Sequence, residues 1–448
     1  MRMTRAQLAV LASCTACTQA RSFVMPDFML GSRQMVPNAV AAARDAAKPT
    51  GTTLTLAEAY KLALARSEQV GLAETAVDEA NINWNEKWTE LGPTLTASAS
   101  LVERRETFVG GNLLRPGQQR IGAVTFAQPL FRRGFFDSRA AGKYGHASAT
   151  AQLRRERELL ARDVAAAFID VLKFRQLLEL AQASVTRAKS QYTFAVARVK
   201  AGQALKNAEL LGEIDVKRAE LQEIGAKRDL TTAELAFTRI VGKAPPAQLA
   251  VPTLPPIPDA TRARDLVARR PDLEALGLKV REAHSEEEAA AGRRLWPRLD
   301  VTAQVQFLDP EVLGNKVDWE VVGVLSFPLL QGGREYTELS RRENATHVAT
   351  LELERNRKVV VEQLDVAAAE IAASTRAAEL AKDQVDAARE HYTLVDKQVR
   401  LGAITFLEVA NAQAVLVEAE NAYEVATMDK LRATYDYLYA TGALDLSK

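Results

Sequence analysis

Residues 164–199 read VAAAFIDVLKFRQLLELAQASVTRAKSQYTFAVARV, and residues 364–399 read LDVAAAEIAASTRAAELAKDQVDAAREHYTLVDKQV. In the first stretch Val164, Ala167, Val171, Phe174, Leu178, Ala181, Val185, Ala188, Tyr192, Ala195 and Val199 step by three and four in turn. In the second, Leu364, Ala367, Ile371, Ser374, Ala378, Ala381, Val385, Ala388, Tyr392, Val395 and Val399 keep the same register. A row with this spacing is a heptad seam, the mark of helices packed along their length. The small residues on it let helix axes approach closely. A helix from about Arg132 to Lys200 runs on the order of 100 Å at about 1.5 Å per residue. That length does not fit a globular core. It suits a tube.

Working outward, the whole chain is written twice. Tyr192 and Gly202 have counterparts in Tyr392 and Gly402, an offset of 200 without a gap. VTFAQPLFRRG at 124–134 parallels GVLSFPLLQGG at 323–333, and Leu91–Leu95 parallels Leu295–Leu299. The first repeat covers 54–242 and the second 261–442, with a short tail at 443–448. Residues 243–260 hold six prolines and read as an extended linker. Each repeat has one order: helix, Pro, strand pair, Pro, very long helix, Gly turn, long helix.

The strand pairs have a period of two. Leu299, Val301, Ala303, Val305 and Phe307 alternate with Asp300, Thr302, Gln304 and Gln306. We expect strands over about 298–308 and 317–327, and a more weakly patterned pair over about 94–108 and 118–130. Gly110-Gly111-Asn112 and Leu313-Gly314-Asn315 supply turn chemistry between them. Such strands have about the 9–11 residues that cross an outer membrane. Four strands cannot close a barrel, which takes about eight, and open edges are not tolerated in lipid. Three chains would supply twelve. Pro93, Pro129, Pro297 and Pro328 then fall where strand meets helix, where a missing N–H costs little.

Composition agrees. With 58 Lys plus Arg against 57 Asp plus Glu, the 448-residue chain lacks the basic excess of a general nucleic-acid binder. No run of 18 apolar residues is present, which excludes a bundle of transmembrane helices and leaves a β-barrel open. His146, His284, His347 and His391 are scattered without ligand spacing, and no P-loop, GxSxG or dinucleotide-binding glycine pattern occurs. We therefore expect no enzyme, no metal and no cofactor. Met1–Arg5 is basic and leads into the apolar run Ala6–Ala12, as in a secretory signal. Leu11-Ala12-Ser13-Cys14 resembles a bacterial lipobox in a leader of residues 1–17, with Cys14 the acylated residue; the alternative is that Cys14 and Cys17 are incidental. Residues 18–53 read as an irregular lead-in.

Four motifs carry a resemblance. Leu54-Thr55-Leu56-Ala57-Glu58-Ala59 resembles the opening helix of the TolC outer-membrane factor family. Arg270-Pro271-Asp272-Leu273 and Leu295-Trp296-Pro297-Arg298-Leu299 resemble its OprM/NodT lipoprotein branch, and Gly402–Gln413 resembles the stretch at its periplasmic tip. The resemblance implies a mainly α fold with a small membrane β part: a homotrimer forming a 12-stranded barrel in outer-membrane lipid, continued by a helical barrel across the periplasm. It implies a passive conduit fed by an inner-membrane pump of the resistance–nodulation–division type through a periplasmic adaptor (a membrane fusion protein). The turns at Gly202 and Gly402 would dock the adaptor, and Glu408 would carry the tip constriction with Asn411 at the second ring position. Two readings stay open: Glu408 as an ordinary exposed helix charge, and the glycines as plain helix caps. The rival function is a periplasmic adaptor or coiled-coil envelope scaffold without channel activity.

Overall fold

The computed structural model describes residues 53–446 except 104, 110–111, 116, 313–314, 328–331 and 402–403. Cys14, Cys17, the leader, the lead-in before Thr53, Pro328 and Gly402 lie outside the described residues.

The chain opens with strand β1 (Thr53–Leu54) and helix α1 (Leu56–Leu64). Thr55 and Glu58 close a capping box on α1: the Thr55 N–H donates to Glu58 Oε2 at 2.9 Å, and the Glu58 N–H donates to Thr55 Oγ1 at 3.3 Å. Helix α2 (Glu68–Glu86) and a 3₁₀ turn (Lys87–Leu91) lead to β2 (Thr94–Glu103). A small ribbon, β3 (Thr107–Val109) with β4 (Asn112–Arg115), precedes β5 (Gln118–Phe131). Then come α3 (Gly134–Lys200) and α4 (Lys206–Val241). The second repeat follows as α5 (Ala260–Val267), α6 (Pro271–Leu295), β7 (Arg298–Val312), β8 (Asn315–Ser326), α7 (Arg334–Arg400) and α8 (Phe406–Thr441). Helices α3 and α7 both have 67 residues and α4 and α8 both have 36, so the duplication is metrical.

The proline-rich segment between the repeats contains a two-residue strand, β6 (Gln248–Leu249), which pairs in parallel with β1. It ties the linker back to the chain's first described residues.

Burial follows the seams. On α3, Val164, Val171, Val185, Ala188 and Ala195 are buried, and on α7 so are Leu364, Ser374, Ala381, Val385, Ala388, Val395 and Val399. The largest core lies where the hairpins meet. Phe168 and Ile169 of α3 pack there with Phe237 of α4, Tyr60 of α1, and Leu431 and Tyr435 of α8. The Phe168 and Phe237 rings lie 6.3 Å apart, and such a pair adds about 0.5–1.5 kcal/mol beyond its burial.

The Arg270–Leu273 motif has a structural use. Arg270 is only 2% exposed. Its guanidinium donates to both Asp272 carboxylate oxygens at 3.1 and 2.6 Å, to Gln363 at 3.2 Å and to the Ala440 carbonyl at 2.9 Å. One buried cation thus joins the start of α6 to α7 and to the end of α8. Burial works to raise the Asp272 pKa, but the hydrogen bonds and charge of Arg270, with Arg155 beyond, outweigh it and hold the carboxyl below its ordinary value.

Candidate functional site

Strands β2, β5, β7 and β8 form one antiparallel sheet in the order β2-β5-β7-β8. Its register sorts the side chains into two faces. Leu95 stands opposite Phe126, Phe126 opposite Ala303, and Ala303 opposite Val321. One row further along, Ala97 meets Val124, Val124 meets Val305, and Val305 meets Trp319. All of these lie on one face. The other face carries Thr96, Thr125, Gln304 and Glu320, with Gln306 opposite Asp318 beside them. Trp319 is 71% exposed and Leu95 69%, so the apolar face is bare in a single chain. Strands β2 and β8 are its open edges.

The strands meet the helices in several ways. Pro93 lies just before β2, and Pro297 sits between α6 and β7. Pro129 lies inside β5, at the register shift beside Phe131, where a bulge spares the missing N–H.

At the far end of the helices, Gly202 takes a φ of 70° just beyond α3. The Gln203 N–H donates back to the Arg198 carbonyl at 2.9 Å, closing a left-handed helix cap that a side chain would strain. Glu408 sits in the first turn of α8, exposed, and accepts the Thr405 N–H at 3.3 Å. It is therefore the capping-box partner of Thr405. Asn411, one turn on, is exposed too, while Val409 and Ala412 turn the other way and pack on Val395 and Val399.

The geometry brings forward residues that the sequence reading passed over. Glu420 of α8 is 9% exposed. It pairs with Arg187 of α3 at 2.9 Å and with Arg389 of α7 at 3.6 Å, so one carboxylate ties three long helices together. Nearby, Gln191 donates to the Tyr392 hydroxyl at 2.9 Å and Arg198 to the Val399 carbonyl at 3.1 Å. No local signal marked it: the seam runs unbroken through Leu416, Ala419 and Tyr423, and Glu420 stands beside it. Among the described residues there is no group of His, Cys, Asp and Glu fit to hold a metal, and no helix long and apolar enough to cross a membrane.

The family model described as outer membrane efflux protein matches residues 59–243 and 263–440, one segment in each repeat. The chain belongs to the outer membrane efflux protein family. As a member it is an outer-membrane channel protein of efflux systems. The outer membrane efflux protein BepC of Brucella suis biovar 1 is 26% identical over 312 residues, covering 66% of this chain and 68% of BepC. In fold, the chain resembles CusC with a TM-score of 0.78 at 14% identity, over 86% of this chain and 92% of CusC. It also resembles the Campylobacter jejuni outer-membrane channel CmeC, with a TM-score of 0.75 at 16% identity, over 88% of this chain and 87% of CmeC. The mainly helical fold of this chain matches the TolC-like outer-membrane channel fold of the solved structures.

Proposed function

We propose that three copies of this chain close their sheets into one 12-stranded barrel in the outer membrane, continued by their helices as a tube through the periplasm. The observation that carries this reading is the two-faced sheet with two open edges: its apolar face suits lipid, its polar face suits a water-filled lumen, and four strands alone close nothing. An edge strand left bare in lipid is untenable, so β8 of one copy pairs with β2 of the next. The chain is a passive conduit, and an adaptor and an inner-membrane pump of the resistance–nodulation–division type supply cargo and energy. Cys14, if acylated, anchors the chain further.

The turns around Gly202 and Gly402 form the end that the adaptor meets. Three copies of Glu408 narrow the conduit there and favour cations, with Asn411 forming a second ring without charge. The capping bond of Glu408 supports this role, because it fixes the carboxylate at the helix start.

The test is the mass and conductance of the full chain extracted from outer membranes. A trimer with discrete conductance is expected, and Glu408→Ala should lower its cation preference. A soluble monomer without conductance overturns the barrel, and unchanged selectivity in Glu408→Ala overturns the constriction.

A further inference from the structure

Where β5 and β7 join α3 and α6, and where α7 begins, the chain folds around a crevice of about 370 Å³. Six arginines line it. Two are already engaged: Arg132 with Asp300 at 3.6 Å and Arg133 with Asp137 at 2.8 Å. Arg293, Arg294, Arg298 and Arg334 form no ion pair among the described residues; Arg293 donates only to the Ala289 carbonyl at 3.3 Å, and Arg294 lies over the Tyr336 ring at 4.0 Å. Three carboxylates also face the crevice. Glu90 accepts from Ser138 at 3.2 Å, and Glu338 is held by Arg342 at 2.9 Å and Arg341 at 3.2 Å. Glu338 also feels Arg293, and Glu335 forms no ion pair among the described residues, so six guanidiniums face three carboxylates here.

Two polar atoms in this lining, Arg132 Nε and Glu335 Oε1, are buried without a hydrogen-bond partner among the described residues. The first turns of α3 and α7 open here too, and neither has a side-chain cap. The Phe135 and Tyr336 N–H groups donate to the Arg132 and Gly333 carbonyls, and the helix dipoles add a positive pole. Concentrated cations, the unmet Arg132 donor and two helix starts call for an anion, and the unmet Glu335 oxygen calls for a donor carried with it.

The surroundings say which anion. The apolar face of the sheet ends at this level, at Leu299 opposite Leu325 and Phe131. Trp296 lines the crevice, is 49% exposed, and stands 6.4 Å from the Phe131 ring. Trp88, 51% exposed, carries Arg139 over its ring at 3.7 Å. Exposed aromatics beside arginines at the end of an apolar band mark the level of lipid headgroups.

We propose that this crevice holds the phosphate of an anionic phospholipid. The proposal rests on the reading of the sheet as part of an outer-membrane barrel. The phosphodiester sits among Arg293, Arg298 and Arg334, and its acyl chains run past Trp296 along the apolar face. A zwitterionic headgroup is disfavoured, because its own cation faces the same arginines.

Native mass spectrometry of the detergent-extracted full chain tests this, with phosphatidylglycerol, phosphatidylcholine of the same acyl chains, and inorganic phosphate as probes. Phosphatidylglycerol should be retained about tenfold better than phosphatidylcholine, the scale of one charge-assisted hydrogen bond. Arg293→Gln with Arg334→Gln should erase that preference without changing the trimer mass. Equal retention of the two lipids by the unaltered protein overturns the proposal, whether or not the variant folds. Displacement of phosphatidylglycerol by equimolar inorganic phosphate overturns the lipid assignment in favour of a soluble anion. A trimer without lipid preference sinks this site alone, whereas a monomer that retains no lipid sinks the barrel reading as well.

Discussion

Replacing Glu420 by Gln removes one charge from a three-helix junction, and the cost can be worked from its surroundings. The carboxylate is 9% exposed and meets Arg187 at 2.9 Å and Arg389 at 3.6 Å. Removing one partner of a fully buried pair costs about 3–5 kcal/mol. Here the Arg187 side chain is 25% exposed and that of Arg389 61%, so water recovers part of the loss. Screening of this kind brings the figure to about 2 kcal/mol. That corresponds to about a thirtyfold rise in the constant for local separation of the hairpins. The effect should stay local, because α8 is pinned here by Leu416 and Ala419 but farther on by Met428, Leu431 and Tyr435 in the main core. Hydrogen exchange read by mass spectrometry is the assay. Peptides covering 416–423 and 185–190 should exchange about thirtyfold faster in Glu420→Gln, and peptides covering 428–438 should not change. Equal acceleration along all of α8, or none anywhere, would refute the idea that this carboxylate holds the hairpins together.

Three other outcomes follow from particular contacts. A Cβ at Gly134 would stand 2.5 Å from the Ala289 carbonyl oxygen and 3.0 Å from Arg293 Cγ. Gly134→Ala should therefore cost about 1–3 kcal/mol and lower the thermal midpoint, and an unchanged melt would show that α3 and α6 can part there freely. Arg270 and Arg155 hold the Asp272 carboxyl below its ordinary pKa of 3.8. Its stabilising share is present above that value and is lost as pH falls below it and through the lower folded value. The stability gap between wild type and Asp272→Asn should thus be full at neutral pH and close in acid. Glu158 is shifted the other way, because burial raises it despite the Arg155 contact at 2.7 Å, so only this comparison isolates Asp272. A gap independent of pH would sink the assignment. Finally, Val321 and Val322 are neighbours, 61% and 41% exposed, on opposite faces of β8. Arginine in the middle of the lipid face costs about 2–4 kcal/mol, so Val321→Arg should deplete outer-membrane trimer while Val322→Arg is tolerated. Equal depletion would contradict the assignment of faces.

The helices were the legible part of this chain. A seam of small residues sustained over ten steps has no other reading, and its two copies lie where α3 and α7 bury their side chains. The second strand pair was clear because bulky apolar residues alternate with charges and amides. The first was faint: along β2, Thr94-Leu95-Thr96-Ala97-Ser98-Ala99 alternates between small groups on both faces, which carry little contrast in hydropathy. The β1–β6 pairing could not be read at all, since two residues hold no period. At the site, Thr405-Phe406-Leu407-Glu408 spells a capping box, and Glu408 was read as a pore charge or as an ordinary exposed helix charge although the box was there to see. Glu420 was out of reach for a different reason. Its partners lie on helices far away in sequence, and no local pattern records how two hairpins dock.

The exposed rows of the long helices bear on the assembly. On α7, Val359, Val366, Leu380 and Leu394, with Leu401 just past its end, are all exposed and stand at multiples of seven residues from one another. This is a second heptad row, distinct from the buried seam of Leu364 to Val399. On α4, Leu210, Ile214, Leu221 and Ile224 step by four, seven and three along an equally exposed face. Scattered apolar residues on a surface need no explanation. Rows with the period of a coiled-coil seam do, because that spacing has use only against another helix. A helix with one seam ends its contacts at its partner, but a helix with two passes the packing on. One chain uses the inner seams and leaves the outer ones bare, at α4 of the first hairpin and α7 of the second. Repeating the chain around an axis lets one outer seam meet the other, just as β8 of one copy would meet β2 of the next. The proposed closure thus has two independent supports, apolar packing on the helices and unmet backbone hydrogen bonds on the strands.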